Sequence, residues 1–121
     1  MGARILLADD LSFVRMMQKD LLEKEGYEIV GEAADGITAV QKYKELRPDI
    51  IILDITMPYM NGLEAMKKIF EFDPNAKIII CSALGQQLLI IEAIKAGVKD
   101  FIVKPYKNER MLSAIKKALS S

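Results

Sequence analysis

The sequence predicts an α/β fold in which a five-stranded parallel sheet is doubly wound, with helices on both faces. Three observations predict it: five short apolar runs recur along the 121 residues, segments of helical spacing separate them, and turn-forming residues stand at the junctions. Strict alternation of strand and helix makes the strands parallel, and right-handed crossovers spread the helices over both faces of the sheet.

The first run, Arg4 to Ala8, is almost continuously apolar, as suits a strand buried on both faces. Val14, Met17 and Leu21 then share one helical face, and Gly26 ends that helix. The second run, Tyr27 to Ala33, alternates polar and apolar residues, the mark of an edge strand. Asp35-Gly36 turns the chain into a helix whose inward face is Ala39, Val40 and Tyr43, closed by Pro48-Asp49. The third run, Ile50 to Leu53, is again wholly apolar. Asn61-Gly62 opens a helix with Met66, Ile69 and Phe70 on one face, and Asp73-Pro74-Asn75 ends it. The fourth run is Lys77 to Cys81, with Cys81 read as a core thiol. In the helix after it, Ile90, Ile91 and Ile94 form the core stripe, Leu88 lies on the polar side and Leu89 beyond the stripe, and Gly97 stops it. The fifth run, Asp100 to Val103, leads to a last helix carrying Leu112, Ile115 and Leu119 inward. Met16, Met17 and Met66 read as core filling.

Composition narrows the function. The length fits one domain over residues 1–121. Seventeen basic and seventeen acidic residues cancel, so nothing draws the chain generally to nucleic acid or to an anionic membrane. The opening apolar stretch is too short for a signal-peptide core and no run approaches a membrane span, which together with a single cysteine reads as a cytoplasmic protein. The chain contains no histidine. That removes Ser-His-Asp and Cys-His catalysis and imidazole ligation, and leaves oxygen-bound cations such as Mg²⁺, Mn²⁺ or Ca²⁺.

In doubly wound folds, sites form beyond the carboxyl ends of the strands, where strand order reverses. Asp9-Asp10 follow the first run, Asp54 and then Thr56 the third, Ser82-Ala83 the fourth and Lys104-Pro105 the fifth. Gathered at one rim, the carboxylates repel: two charges about 5 Å apart at an effective dielectric near 20 cost roughly 3 kcal/mol. A divalent cation and Lys104 would offset that. The expected Mg²⁺ ligands are Asp10, Asp54 and the carbonyl of Thr56, with Asp9 direct or through water. Asp9-Asp10 alone could equally cap a helix, Ser82 alone could be a cap, and Lys104 alone a solvated lysine. Their convergence favours a site. A carboxylate such as Asp54 can attack a phosphoryl group in line, with Lys104 neutralising its oxygens and Ser82 donating a hydrogen bond to one of them.

These residues resemble the receiver domains of response regulators, especially the stand-alone chemotaxis type. The signature is Ala8-Asp9-Asp10, Asp54 through Gly62, Ser82-Ala83, Ala96 through Phe101 and Val103-Lys104-Pro105, and it spans essentially the whole chain. The resemblance implies strand order 2-1-3-4-5, a flavodoxin-like (βα)5 topology and a cis bond before Pro105. It implies that Asp54 is phosphorylated, with Mg²⁺, by the phosphohistidine of a histidine kinase. Asp9 and Asp10 would be the metal-binding acidic pair, Ser82 and Phe101 the switch residues, and Ala83, Lys104 and Pro105 the remaining phosphate-binding or switch positions. The output face would include Leu88, Leu89, Phe101, Lys107 and Met111, binding a flagellar motor switch or an adaptor protein. The chain would act as a monomeric switch rather than an enzyme; the alternatives are a receiver cut from a larger regulator or a phosphorelay intermediate. An aspartate-nucleophile phosphatase needs a second Asp two residues after the nucleophile, where this chain has Thr56, and Asp9-Asp10 would repel a flavin phosphate.

Overall fold

The structure is a computed structural model and describes residues 2–121. Strands and helices alternate as β1 (Arg4–Ala8), α1 (Ser12–Lys24), β2 (Glu28–Ala33), α2 (Gly36–Leu46), β3 (Ile50–Asp54), α3 (Gly62–Phe72), β4 (Ile78–Ser82), α4 (Gln87–Ala96), β5 (Asp100–Val103) and α5 (Asn108–Leu119). All strand pairings are parallel, in the order β2-β1-β3-β4-β5. The expected flavodoxin-like order is therefore present, with β2 at one edge. Strand order reverses between β1 and β3, where Ala8 pairs with Leu53.

The period of two along each strand divides the core into two layers. Leu6, Ala8, Ile51, Leu53, Ile78 and Ile80 point to the side covered by α2, α3 and α4. Ile5, Leu7, Ile50, Ile52, Ile79, Cys81 and Ile102 point to the side of α1 and α5. Every residue of β3 and β4 is buried, which is why these strands read as unbroken apolar runs.

The helix faces required more correction than the strands. On α1 the buried residues are Gln18 and Leu22, with Leu21 packed against the core, while Met16 and Met17 are exposed rather than core filling. Gln18 displaces them inward because its amide donates to the Tyr106 hydroxyl at 3.2 Å. On α4, Ile90 and Ala93 face inward and Ile91 and Ile94 are half exposed, so the expected isoleucine stripe holds only at Ile90. Leu89, expected on the output face, is partly buried against the α2–α4 layer. Met111, also expected there, is 0% exposed and belongs to the inner face of α5 with Ala114, Ile115 and Ala118. Leu88 remains on the surface at 82% exposure, and Lys107 is exposed at the start of α5. Met66 and Cys81 are core residues, as read.

Candidate functional site

The carboxyl ends of β1, β3 and β5 bring Asp9, Asp54 and Lys104 into contact. Pairing sets this up. Asp9 N–H donates to the Ala33 carbonyl at 3.0 Å, Ile55 N–H to Cys81 at 3.0 Å and Lys104 N–H to Ser82 at 2.7 Å, so the residues just past each strand are held in register by their neighbours. Asp54 lies inside β3 itself, opposite Cys81. The loop after it is held close: Gly62 N–H donates to the Ile55 carbonyl at 2.7 Å, and a Cβ on Gly62 would sit 2.1 Å from the Asp54 carbonyl oxygen. Asn61 caps α3 by accepting from Glu64 N–H at 2.9 Å.

Carboxylate oxygens of Asp9, Asp10 and Asp54 lie within 4.8 Å of one another, a spacing that a single small cation can bridge. Asp9 is buried and committed on both oxygens: Oδ1 accepts from Leu11 N–H at 2.9 Å and Oδ2 from Lys104 Nζ at 2.8 Å. Lys104 Nζ also donates to Asp54 Oδ2 at 3.1 Å. Asp10 is exposed and reaches the same cluster from the solvent side. Three carboxylates against one ammonium leave an excess of negative charge that oxygen-loving divalent cations suit.

Burial is the largest influence on Asp54 and raises its carboxyl above the ordinary carboxylate range; the Lys104 charge pulls the other way and Asp9 adds to the rise. Burial by itself would lower the Lys104 ammonium, yet its hydrogen bond to Asp9 and the charges of Asp54 and Asp9 outweigh that and hold it above the ordinary lysine range. Burial pushes the Cys81 thiol up to about 12, so it stays protonated and inert.

The other residues singled out from the sequence occupy the rim or lie away from it. Thr56 stands two residues past Asp54, and its hydroxyl accepts from Gln86 Nε2 at 3.1 Å. Ser82 is fully buried and its Oγ has no hydrogen-bond partner. Ala83 and Pro105 are exposed, and the Lys104–Pro105 bond is cis, as expected. Phe101 sits on β5, partly buried against the α2–α4 layer, with its carbonyl accepting from the Arg110 guanidinium at 2.5 Å. Leu88, Leu89, Lys107 and Met111 take no part in the carboxylate cluster.

Two residues near the site carried no sequence signal. Arg15 on α1 donates to the Asp9 carbonyl at 2.5 Å and to Glu32 at 2.9 Å, and Gln86 bridges two loops. Each reads as an ordinary polar residue in or beside a helix, and only the tertiary register turns it toward the site.

A doubly wound sheet carrying an acidic cluster and a lysine at its switch point fits a signalling receiver, and the chain belongs to the response regulator receiver domain family, which matches residues 5–116. Among curated relatives, it is 61% identical over 117 residues to the chemotaxis protein CheY of Thermotoga maritima, covering 97% of this chain and 98% of that one. It is 55% identical over 120 residues to CheY of Bacillus subtilis, covering 99% and 100%. A chain of the CheX-CheY-BeF3-Mg²⁺ complex from Borrelia burgdorferi superimposes with a TM-score of 0.89 at 40% identity, over 93% of this chain and 86% of that one.

Proposed function

We propose that the chain is a phosphorylation-gated switch in which Asp54 takes a phosphoryl group from the phosphohistidine of a separate histidine kinase of the CheA type. The donor imidazole has to be external because the chain has no histidine. The observation that carries the reading is the buried Asp54 carboxylate hydrogen-bonded to Lys104 and crowded by Asp9 and Asp10. A structural ion pair would need one carboxylate for one ammonium, and this site has three.

The transfer balances within these residues. An Asp54 carboxylate oxygen attacks phosphorus in line, the phosphorus–nitrogen bond to the donor breaks, and the imidazole leaves with the electron pair. Lys104 lies where it can neutralise charge on the transferring oxygens. Asp10 and Asp54 would hold magnesium with the Thr56 carbonyl, and Asp9 would act through water because both its oxygens already accept from the protein. Bound Mg²⁺ would supply further charge neutralisation at the phosphoryl oxygens. No acid or base follows Asp54 at position 56, so hydrolysis is slow and the chain acts as a switch rather than an enzyme.

The orphaned Ser82 hydroxyl gives a phosphorylated Asp54 a new donor, and its capture would shift the loop after β4 together with Phe101. The surface that reads this change is the β4–α4 loop, the outer side of α4 and the start of α5: Leu84 at 78% exposure, Leu88, Ile91 and Lys107. The partner we expect there is a flagellar motor switch or an adaptor protein, and the similarity to chemotaxis proteins supports a role in chemotaxis. Incubation with acetyl phosphate and Mg²⁺ should give acid-labile phosphate at one per chain, and Asp54→Asn should abolish it. Undiminished uptake by that variant would move the acceptor elsewhere.

A further inference from the structure

Gln86 closes the β4 side of the Asp54 site with a contact that the transfer reaction does not use. It stands at the N-cap of α4, but its side chain makes no capping bond. The carboxamide instead spans two loops: Oε1 accepts from Ala83 N–H at 2.7 Å, and Nε2 donates to the Thr56 hydroxyl at 3.1 Å. Ala83 N–H can only donate, which fixes the orientation of the amide. Both partners border the acceptor, since Thr56 lies two residues past Asp54 and Ala83 follows Ser82, whose carbonyl holds the Lys104 backbone.

A phosphoryl group on Asp54 brings three strong acceptor oxygens into this space. Two donors stand in the segment beside it, the partnerless Ser82 hydroxyl and Ala83 N–H, and the second is occupied by Gln86. We propose that Gln86 is a positioning residue that latches the unphosphorylated state, because its carboxamide must give up Ala83 N–H before the loop can close on the phosphoryl group. Release would also free the Thr56 hydroxyl, unhooking the β4–α4 loop from the β3–α3 loop in one step. The latch rests on Asp54 being the acceptor.

The test is the affinity for beryllofluoride, a phosphoryl mimic, at saturating Mg²⁺, measured by calorimetry on the intact chain and on Gln86→Ala and Gln86→Met. Methionine keeps the bulk and the helix start but forms neither hydrogen bond. Both variants should bind about two- to tenfold more tightly, the range one competing hydrogen bond commands. The Ala83 amide proton should also exchange with solvent faster in the free variants than in the free unsubstituted chain, while the beryllofluoride-bound forms should match. Equal or weaker binding by both variants overturns the latch alone. No uptake by the unsubstituted chain overturns the acceptor assignment and the latch with it.

Discussion

Asp54 carries a charge that its surroundings disfavour, and that has measurable consequences. Burial raises its carboxyl above the range it has in the unfolded chain, so over the intervening pH window the folded state binds more protons. Without metal, stability should therefore fall as pH rises through that window and stay lower above it. Asp54→Ala should remove this decline and stabilise the metal-free protein by about 1 kcal/mol at neutral pH; denaturant melts of both proteins across pH check this. Lys104 has the opposite role. Lys104→Ala leaves Asp9 and Asp54 facing each other and should cost about 3 kcal/mol in the same melts. Gly62 is a packing requirement of the loop after Asp54: a methyl group there meets the Asp54 carbonyl at 2.1 Å, and Gly62→Ala should cost about 1–3 kcal/mol and reduce the proposed phosphate uptake. The acidic residues and the lysine were legible in the sequence because they follow separate apolar runs whose ends a doubly wound sheet brings to one rim, although each alone has an ordinary structural use. Gln86 and Arg15 were not, since a polar residue in a helix is ordinary until the register of two loops or two elements shows what it reaches.

At the level of elements, the strands could be read and the helix faces only partly. β3 and β4 are buried on both sides, so apolar continuity located them to within a residue, though each runs one residue further and takes Asp54 and Ser82 into the strand. Helix α4 is apolar nearly all round, with Leu88, Leu89, Ile90, Ile91, Ala93 and Ile94, and periodicity cannot choose a face when most faces qualify. On α1 a glutamine is buried with its Nε2 donating to the Tyr106 hydroxyl while Oε1 has no partner, and a hydropathy pattern passes over such a residue. The corrected faces separate two substitutions. Met111→Ala should cost about 2–5 kcal/mol through the cavity it leaves under α5. Leu88→Ala should change stability by less than about 0.5 kcal/mol and act only on partner binding. Thermal melts alongside partner titrations distinguish these effects.

The whole molecule is organised around the reversal of strand order between β1 and β3, which brings residues from positions 9, 10, 54 and 104 to one rim. Alternation of apolar runs and amphipathic segments was enough to anticipate that rim, because in a doubly wound sheet the strand ends share one edge. Excess negative charge there should couple folding to metal: a cation bound only by the folded chain adds about 2.7 kcal/mol at one hundred times its dissociation constant. Magnesium should accordingly raise the melting temperature of the unsubstituted chain, and much less that of Asp54→Ala. The most direct test is to treat the chain with acetyl phosphate and Mg²⁺, reduce it with borohydride and map the product by mass spectrometry. The account predicts homoserine at position 54, dependent on Mg²⁺, with Asp9 and Asp10 intact. Homoserine at position 9 or 10, or none at all under conditions that label an authentic acyl phosphate, would contradict it.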